Sequence, residues 1–136
     1  MRWFLYLILM LLPVFAHAAS STLTGIVTHV RDGDTIEVNN IPIRLNGVSA
    51  PELDEPLGNR SKSFMTELVM GKQVRCELDG QKTHDRFVGI CYLGGHDIGA
   101  LVIGAGLALD CPRYSGGRYA GYEVEGVVIR LPGYCK

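Results

Sequence analysis

Hydrophobic and polar positions alternate in short runs divided by glycine and asparagine turns. The first run sets Leu23, Gly25, Val27 and His29 against Thr24, Ile26, Thr28 and Val30, and its threonines and β-branched residues predict a strand over residues 22–30 with both faces partly covered. Asp32-Gly33 turns the chain into Thr35-Ile36-Glu37-Val38, and Asn39-Asn40 turns it into a third run over residues 41–48. These three form a meander. Residues 53–58 carry no period and predict a loop. Phe64, Met65, Leu68 and Val69 then fall on one stripe at helical spacing, with Asn59 as the expected N-cap and Gly71 as the stop. Alternation returns over residues 73–78 and again over 87–93, with an Asp79-Gly80 turn between them. After Gly94-Gly95, Asp97 is placed to cap a second helix whose Ile98, Leu101, Val102 and Ala105 face inward. Residues 123–130 fit helix or strand equally. The pattern is β-rich α+β, with five strands and two or three short helices.

The start of the chain reads differently. Arg2, an apolar run from 3 to 15 and the triplet Ala16-His17-Ala18 have the layout of a secretory signal peptide cut after residue 18. That run falls short of the roughly 20 residues that span a bilayer. The expectation is therefore an exported protein, periplasmic or secreted, with no membrane attachment after cleavage and one domain over residues 19–136.

Four cysteines follow that leader, and an even count in an exported chain favours disulfides over metal binding or catalysis. Three pairings exist. Cys76–Cys91 is preferred because the two lie on consecutive predicted strands, and Cys111–Cys135 because it would tie down the C-terminal stretch. Without Arg2, 12 of the 13 Lys plus Arg stand against 14 Asp plus Glu, a net charge of −2. A sequence reader or nucleic-acid coat is usually strongly basic, so that class is excluded. A hydrolase that grips one or two phosphates needs only local positive charge.

Such local charge is present. Asp32 and Asp34 flank Gly33 at a tight bend, and Arg44 alternates with Ile43 and Leu45, so its guanidinium leaves the opposite face of the strand. Pro51 holds Ala50 extended and fixes where Glu52 emerges. Oxygen ligands for a hard cation, a phosphate-matched guanidinium and a candidate base suit metal-assisted phosphoryl chemistry. The same spacing is also what an ordinary Asp-Gly turn and a solvated strand arginine produce. Further on, Arg113, Tyr114, Arg118 and Tyr119 interleave around Gly116-Gly117, either as a cap that stacks on a base or grips a phosphate, or as a disulfide-pinned loop. His84 reads as a turn residue.

The order Asp32-Gly33-Asp34-Thr35, Arg44, Pro51-Glu52 resembles the staphylococcal nuclease family, over about residues 22–119. The resemblance implies a five-stranded OB-fold barrel and a Ca2+-dependent phosphodiesterase acting on DNA or RNA. Position by position it implies Asp34 as a calcium ligand, Asp32 as a carboxylate reaching the ion through water, Arg44 and Glu52 as catalytic residues, and Tyr114 in a nucleotide pocket. Two positions depart from the family pattern. Ser49 stands where the family has a second aspartate ligand, leaving the Ser49 hydroxyl and the Ala50 carbonyl beside Asp34 and implying calcium binding that is weak, or another divalent cation, or none. After Asp85-Arg86-Phe87 the chain passes directly to Val88-Gly89, where the family continues Gly-Arg, so the second catalytic arginine lacks a counterpart unless Arg86 or Arg113 substitutes. Two readings follow: a nuclease of altered strength, or a catalytically silent periplasmic OB module that binds without cutting.

Overall fold

The twelve-residue strand β1 (Ser21–Asp32) serves two neighbours in succession, and the rest of the sheet follows from that. Its first half pairs antiparallel with β5 (Gln73–Thr83), Leu23 opposite Cys76 and Ile26 opposite Gln73. Its second half pairs with β2 (Thr35–Val38), Val27 opposite Val38 and Asp32 opposite Thr35. Register shifts between Val27 and His29 and between Val30 and Asp32 bend the strand. Those irregularities also let Val27 and Val30, three residues apart, both enter the core. The computed structural model describes residues 12–15 and 20–136. Most of the expected leader, including the cleavage triplet, lies outside the described residues.

From β2 the chain turns through Asn39 and Asn40, both at positive φ (49° and 64°), into β3 (Ile41–Leu45). Asparagine tolerates that backbone region better than other side chains. The strand order is β3-β2-β1-β5, then β6 (Arg86–Leu93). β3 also pairs in parallel with β6, Arg44 opposite Val88 and Leu45 opposite Gly89, so the five strands close into a ring. A short β7 (His96–Asp97) extends the edge, and β4 (Val48–Ser49) pairs with β8 (Leu109–Asp110) in a separate ribbon. This is the OB arrangement.

Helix α1 (Gly58–Val69) packs against β1 and adds to the core Met65 and Val69, both fully buried, and the partly buried Phe64 and Leu68. Burying each such side chain contributes about 1.5–3 kcal/mol. Its start differs from the expected Asn59 cap. Leu57, in a left-handed conformation, holds the cap position with no side-chain hydrogen bond, and Asn59 lies one residue inside the helix. The reason is the tight approach at Gly58: a Cβ there would meet the Glu52 carbonyl oxygen at 2.0 Å, so the chain enters the helix where that glycine permits. α2 (Ile98–Gly104) begins as expected, with Asp97 Oδ1 accepting from the Gly99 and Ala100 amides at 2.9 and 3.3 Å. A one-turn α3 (Pro112–Ser115) follows β8, and 3-10 turns occupy Ala120–Tyr122 and Gly133–Cys135. Residues 123–130 form neither helix nor strand. Both disulfides are present, Cys76–Cys91 between directly paired residues of β5 and β6 and Cys111–Cys135 between the residue that caps α3 and the second 3-10 turn.

Candidate active site

Ring closure brings the sequence-distant charged residues to one cleft of about 610 Å³. Asp32, Asp34, Arg44, Glu52, Arg86 and Tyr114 all line it. Ser49, Ala50 and Arg113 do not. Ser49 is buried in the β4–β8 ribbon opposite Leu109, and Arg113 is exposed on α3.

The turn between β1 and β2 sets the carboxylates. Asp32 Oδ1 accepts from the Asp34 amide at 3.0 Å, a local bond that tightens the bend. Gly33 is required there because a Cβ would lie 1.9 Å from Ser61 Oγ and 2.8 Å from the Ala50 Cβ. Asp34 is buried and held on every side: its Oδ2 accepts from the Ala50 amide at 2.9 Å and lies 3.3 Å from Arg44 Nη2, while its Oδ1 accepts from the Thr35 hydroxyl at 3.2 Å. Its backbone carbonyl also accepts from the Leu45 amide at 2.8 Å. Burial, helped by the Asp32 charge, pushes the Asp34 carboxyl up to about 7, against the pull of Arg44.

Arg44 emerges between the buried Ile43 and Leu45, as alternation on β3 requires, and its Nη1 donates to the Leu45 carbonyl at 2.7 Å. Arg86 opens β6. The connection from β5 is a two-residue turn, His84-Asp85, with Thr83 opposite Arg86 and His84 at a φ of 58°. The shortened stretch therefore places an arginine at the first position of β6. Arg86 Nη1 donates to Thr35 Oγ1 at 3.3 Å and its Nε to the Thr83 carbonyl at 3.3 Å. Thr35 thus sits between Arg86 and Asp34, accepting from one and donating to the other. Sequence reasoning gave Thr35 no role, although it completes the Asp-Gly-Asp-Thr turn.

Glu52 is exposed at the cleft margin. The loop behind it is fastened by the Glu52 amide donating to Glu55 Oε1 at 3.3 Å and the Glu55 amide donating to the Glu52 carbonyl at 2.9 Å. Among the described residues no three His, Cys, Asp or Glu side chains form a metal-binding group. The oxygens of Asp32 and Asp34 suit a hard divalent cation whose shell is completed largely by water, and two crowded carboxylates favour such a charge. Ser49 adds none.

Of the interleaved arginines and tyrosines only Tyr114 reaches the cleft. Tyr119 is buried, its hydroxyl bonded to both Asp97 oxygens at 3.0 and 2.9 Å, and burial raises its phenol pKa. Arg118 spans to Asn46, donating from Nη2 to that residue's carbonyl and side-chain oxygens, each at 2.8 Å. It fastens a loop, so the cap has one member of the four. Gln81, Lys82, Asn46 and Tyr134 also line the cleft, and sequence reasoning assigned none of them. The signal for Tyr134 was present in Cys135, whose pairing with Cys111 carries its neighbour to the site.

An OB ring with two carboxylates and two arginines converging on one cleft defines a protein class suited to phosphate chemistry. The chain belongs to the staphylococcal nuclease homologues, whose family pattern matches residues 42–123. It is 37% identical over 103 residues to the succinoglycan biosynthesis protein ExoI of Rhizobium meliloti, a match covering 67% of this chain and 54% of that protein. Proteins named as uncharacterized endonucleases are similar too: one of Haemophilus influenzae at 26% over 113 residues, covering 79% and 64%, and one of Escherichia coli at 33% over 96 residues, covering 67% and 63%. The match spans between 54% and 64% of these relatives' own lengths.

Proposed function

We propose that the chain is a phosphodiesterase acting on DNA or RNA by water attack, and that it works after export. The observation that carries this reading is the placement of Arg44 and Arg86 on adjacent strands, lining the same cleft as Asp34 and Glu52. Arg44 and Arg86 bind the non-bridging oxygens of the scissile phosphate through planar guanidinium forks that match them. Glu52 takes a proton from a water that attacks phosphorus opposite the leaving oxygen. The new P–O bond forms as the ester P–O bond breaks, and the departing oxygen is protonated from solvent. The two guanidiniums neutralise the charge that builds on the phosphoryl oxygens, and water-excluded donors of that kind are worth about 2.7–4 kcal/mol each. A divalent cation bound at Asp34 and Asp32 supplies further charge neutralisation when present.

The second reading, a binding module without turnover, draws on Asp34 itself. Both of its oxygens already have partners within the protein, and Ser49 contributes no charge. Cleavage of single-stranded DNA and RNA by the oxidised protein, with calcium, magnesium, manganese or EDTA and beside Glu52→Gln, separates the two. Cation-dependent cutting that disappears in Glu52→Gln supports the enzyme. Binding without cutting under every condition supports the module.

A further inference from the structure

Two tyrosine rings flank the Cys111–Cys135 bridge where it meets the cleft. Tyr114 lies three residues after Cys111 in α3, and Tyr134 immediately precedes Cys135 in the turn Gly133–Cys135. Both rings line the cleft, as does Cys111 itself, and both are 51% exposed. Neither hydroxyl has a hydrogen-bond partner among the described residues. The bridge is buried, with Cys111 at 1% and Cys135 at 0% exposure.

The two sides of this bridge are held differently. α3 is fixed by the backbone: Cys111 donates to the Gly47 carbonyl at 2.8 Å, and the Tyr114 and Ser115 amides both donate to the Cys111 carbonyl at 3.0 Å. The other side is reached through residues 123–132, which form no helix or strand. Its local bonds are the Cys135 amide to the Pro132 carbonyl at 3.0 Å and the Lys136 amide to the Gly133 carbonyl at 3.2 Å, both within the turn itself. Upstream, the Asp110 amide donates to Glu123 Oε1 at 2.9 Å, and the disulfide is the covalent tie that holds the Tyr134 turn against α3. Tyr134 also lies outside the family-matched residues 42–123.

We propose that Tyr134, outside the family pattern, adds a second ring for the base of a bound nucleotide beside the pocket that the resemblance implies for Tyr114, and that this addition depends on the Cys111–Cys135 bridge. The proposal rests on the phosphodiesterase reading for its ligand. The same cleft offers guanidiniums to a phosphate and half-exposed π-faces beside them, the two features that one nucleotide presents together. Stacking on such rings is tolerant of base identity, because every base has a π-face. The subsite therefore distinguishes a nucleotide from a bare sugar phosphate and does little to distinguish one base from another.

The test measures binding of oligothymidylate and of an abasic oligomer with the same backbone to the oxidised full chain in EDTA. Tyr134→Ala is expected to weaken oligothymidylate binding about tenfold, leave abasic binding unchanged and leave the salt dependence unchanged, because the ring carries no charge. Tyr134→Phe should bind as wild type. Cys111→Ser with Cys135→Ser should lose as much as Tyr134→Ala, and adding Tyr134→Ala to it should cost nothing more. Circular dichroism checks folding, and if the cysteine variant does not fold, the Tyr134 variants decide the matter alone. Equal oligothymidylate affinity in Tyr134→Ala and wild type, or equal loss on both oligomers, overturns the subsite while leaving the phosphodiesterase reading intact. Wild-type protein that binds neither oligomer overturns both.

Discussion

Arg31 grips Asp85 through both carboxylate oxygens, Nη1 to Oδ1 at 3.0 Å and Nη2 to Oδ2 at 2.8 Å, across 54 residues of sequence. Its Nε meanwhile bonds Glu37 Oε2 at 3.1 Å on β2. The Asp85 bond is the main cause that raises the guanidinium's pKa and lowers the carboxyl's. Because the pair is exposed, its consequence is positional: it fastens the β5–β6 turn, and with it Arg86, to β1. Arg31→Met or Asp85→Asn should lower kcat on the order of tenfold, since small misplacements of a phosphate-binding group are costly. The melting temperature should stay near wild type. Steady-state kinetics with a parallel melt checks this, and an unchanged kcat would remove the positioning role.

Arg86→Lys and Arg44→Lys should each reduce turnover on the order of a hundredfold or more, because an ammonium cannot reproduce the bidentate fork. Arg113→Ala should leave it unchanged, since that side chain is exposed outside the cleft. Single-turnover cleavage of a defined oligonucleotide separates the three. A loss in Arg113→Ala that matched Arg86→Lys would reverse the assignment.

Asp34 makes stability depend on pH. A carboxyl in the unfolded chain titrates near 4, whereas here it is pushed up to about 7 by burial and by Asp32. The fold therefore favours the protonated form. Its stabilising contribution is fully present below about 4 and is lost as pH rises through about 7. In EDTA the melting temperature should fall between pH 5 and pH 8, and Asp34→Asn should flatten that part of the profile. The same slope in both proteins would mean another group is responsible.

Ser61 Oγ is fully buried without a hydrogen-bond partner among the described residues and lies against Gly33. Ser61→Ala should raise stability by about 1 kcal/mol, because an unsatisfied hydroxyl is removed with little change of shape. Gly33→Ala should be strongly destabilising and should disturb the carboxylate turn. Urea denaturation measures both, and a Ser61→Ala protein weaker than wild type would show that the hydroxyl has a partner in solution.

Separating Cys76 from Cys91 opens a loop of 15 residues within the paired strands β5 and β6. Cys76→Ala with Cys91→Ala should lose about 3 kcal/mol in the chain-entropy account. Denaturant melts of the oxidised proteins check the figure, and a loss under about 1 kcal/mol would mean that strand pairing alone suffices.

Much of this was legible in local chemistry. The Asn39-Asn40 turn, the Asp97 cap and the stripe through Met65 and Val69 each depend on neighbours close in sequence, and the structure has all three. Leu57 at the α1 cap was not legible, because Gly58 is constrained by the Glu52 carbonyl, a tertiary contact. Arg86 was ambiguous for a related reason. The sequence records that residues are fewer before the strand, whereas hairpin geometry decides which residue becomes the first paired one. Buried Tyr119 and cleft-lining Tyr134 have the same residue type and opposite surroundings, set by Asp97 in one case and by a disulfide in the other.

The parallel seam between β3 and β6 also sets a timetable for the site during synthesis. When the ribosome has made residues 1–85, the chain already contains Asp32, Asp34, Arg44 and Glu52, but β6 does not yet exist and Arg44 has no neighbour at Val88. Emerging fragments therefore hold the acidic turn and lack the second guanidinium. Non-local closure of this kind is slow compared with local hairpins and helices. The cleft, which needs β6 beside β3, is among the last features to form.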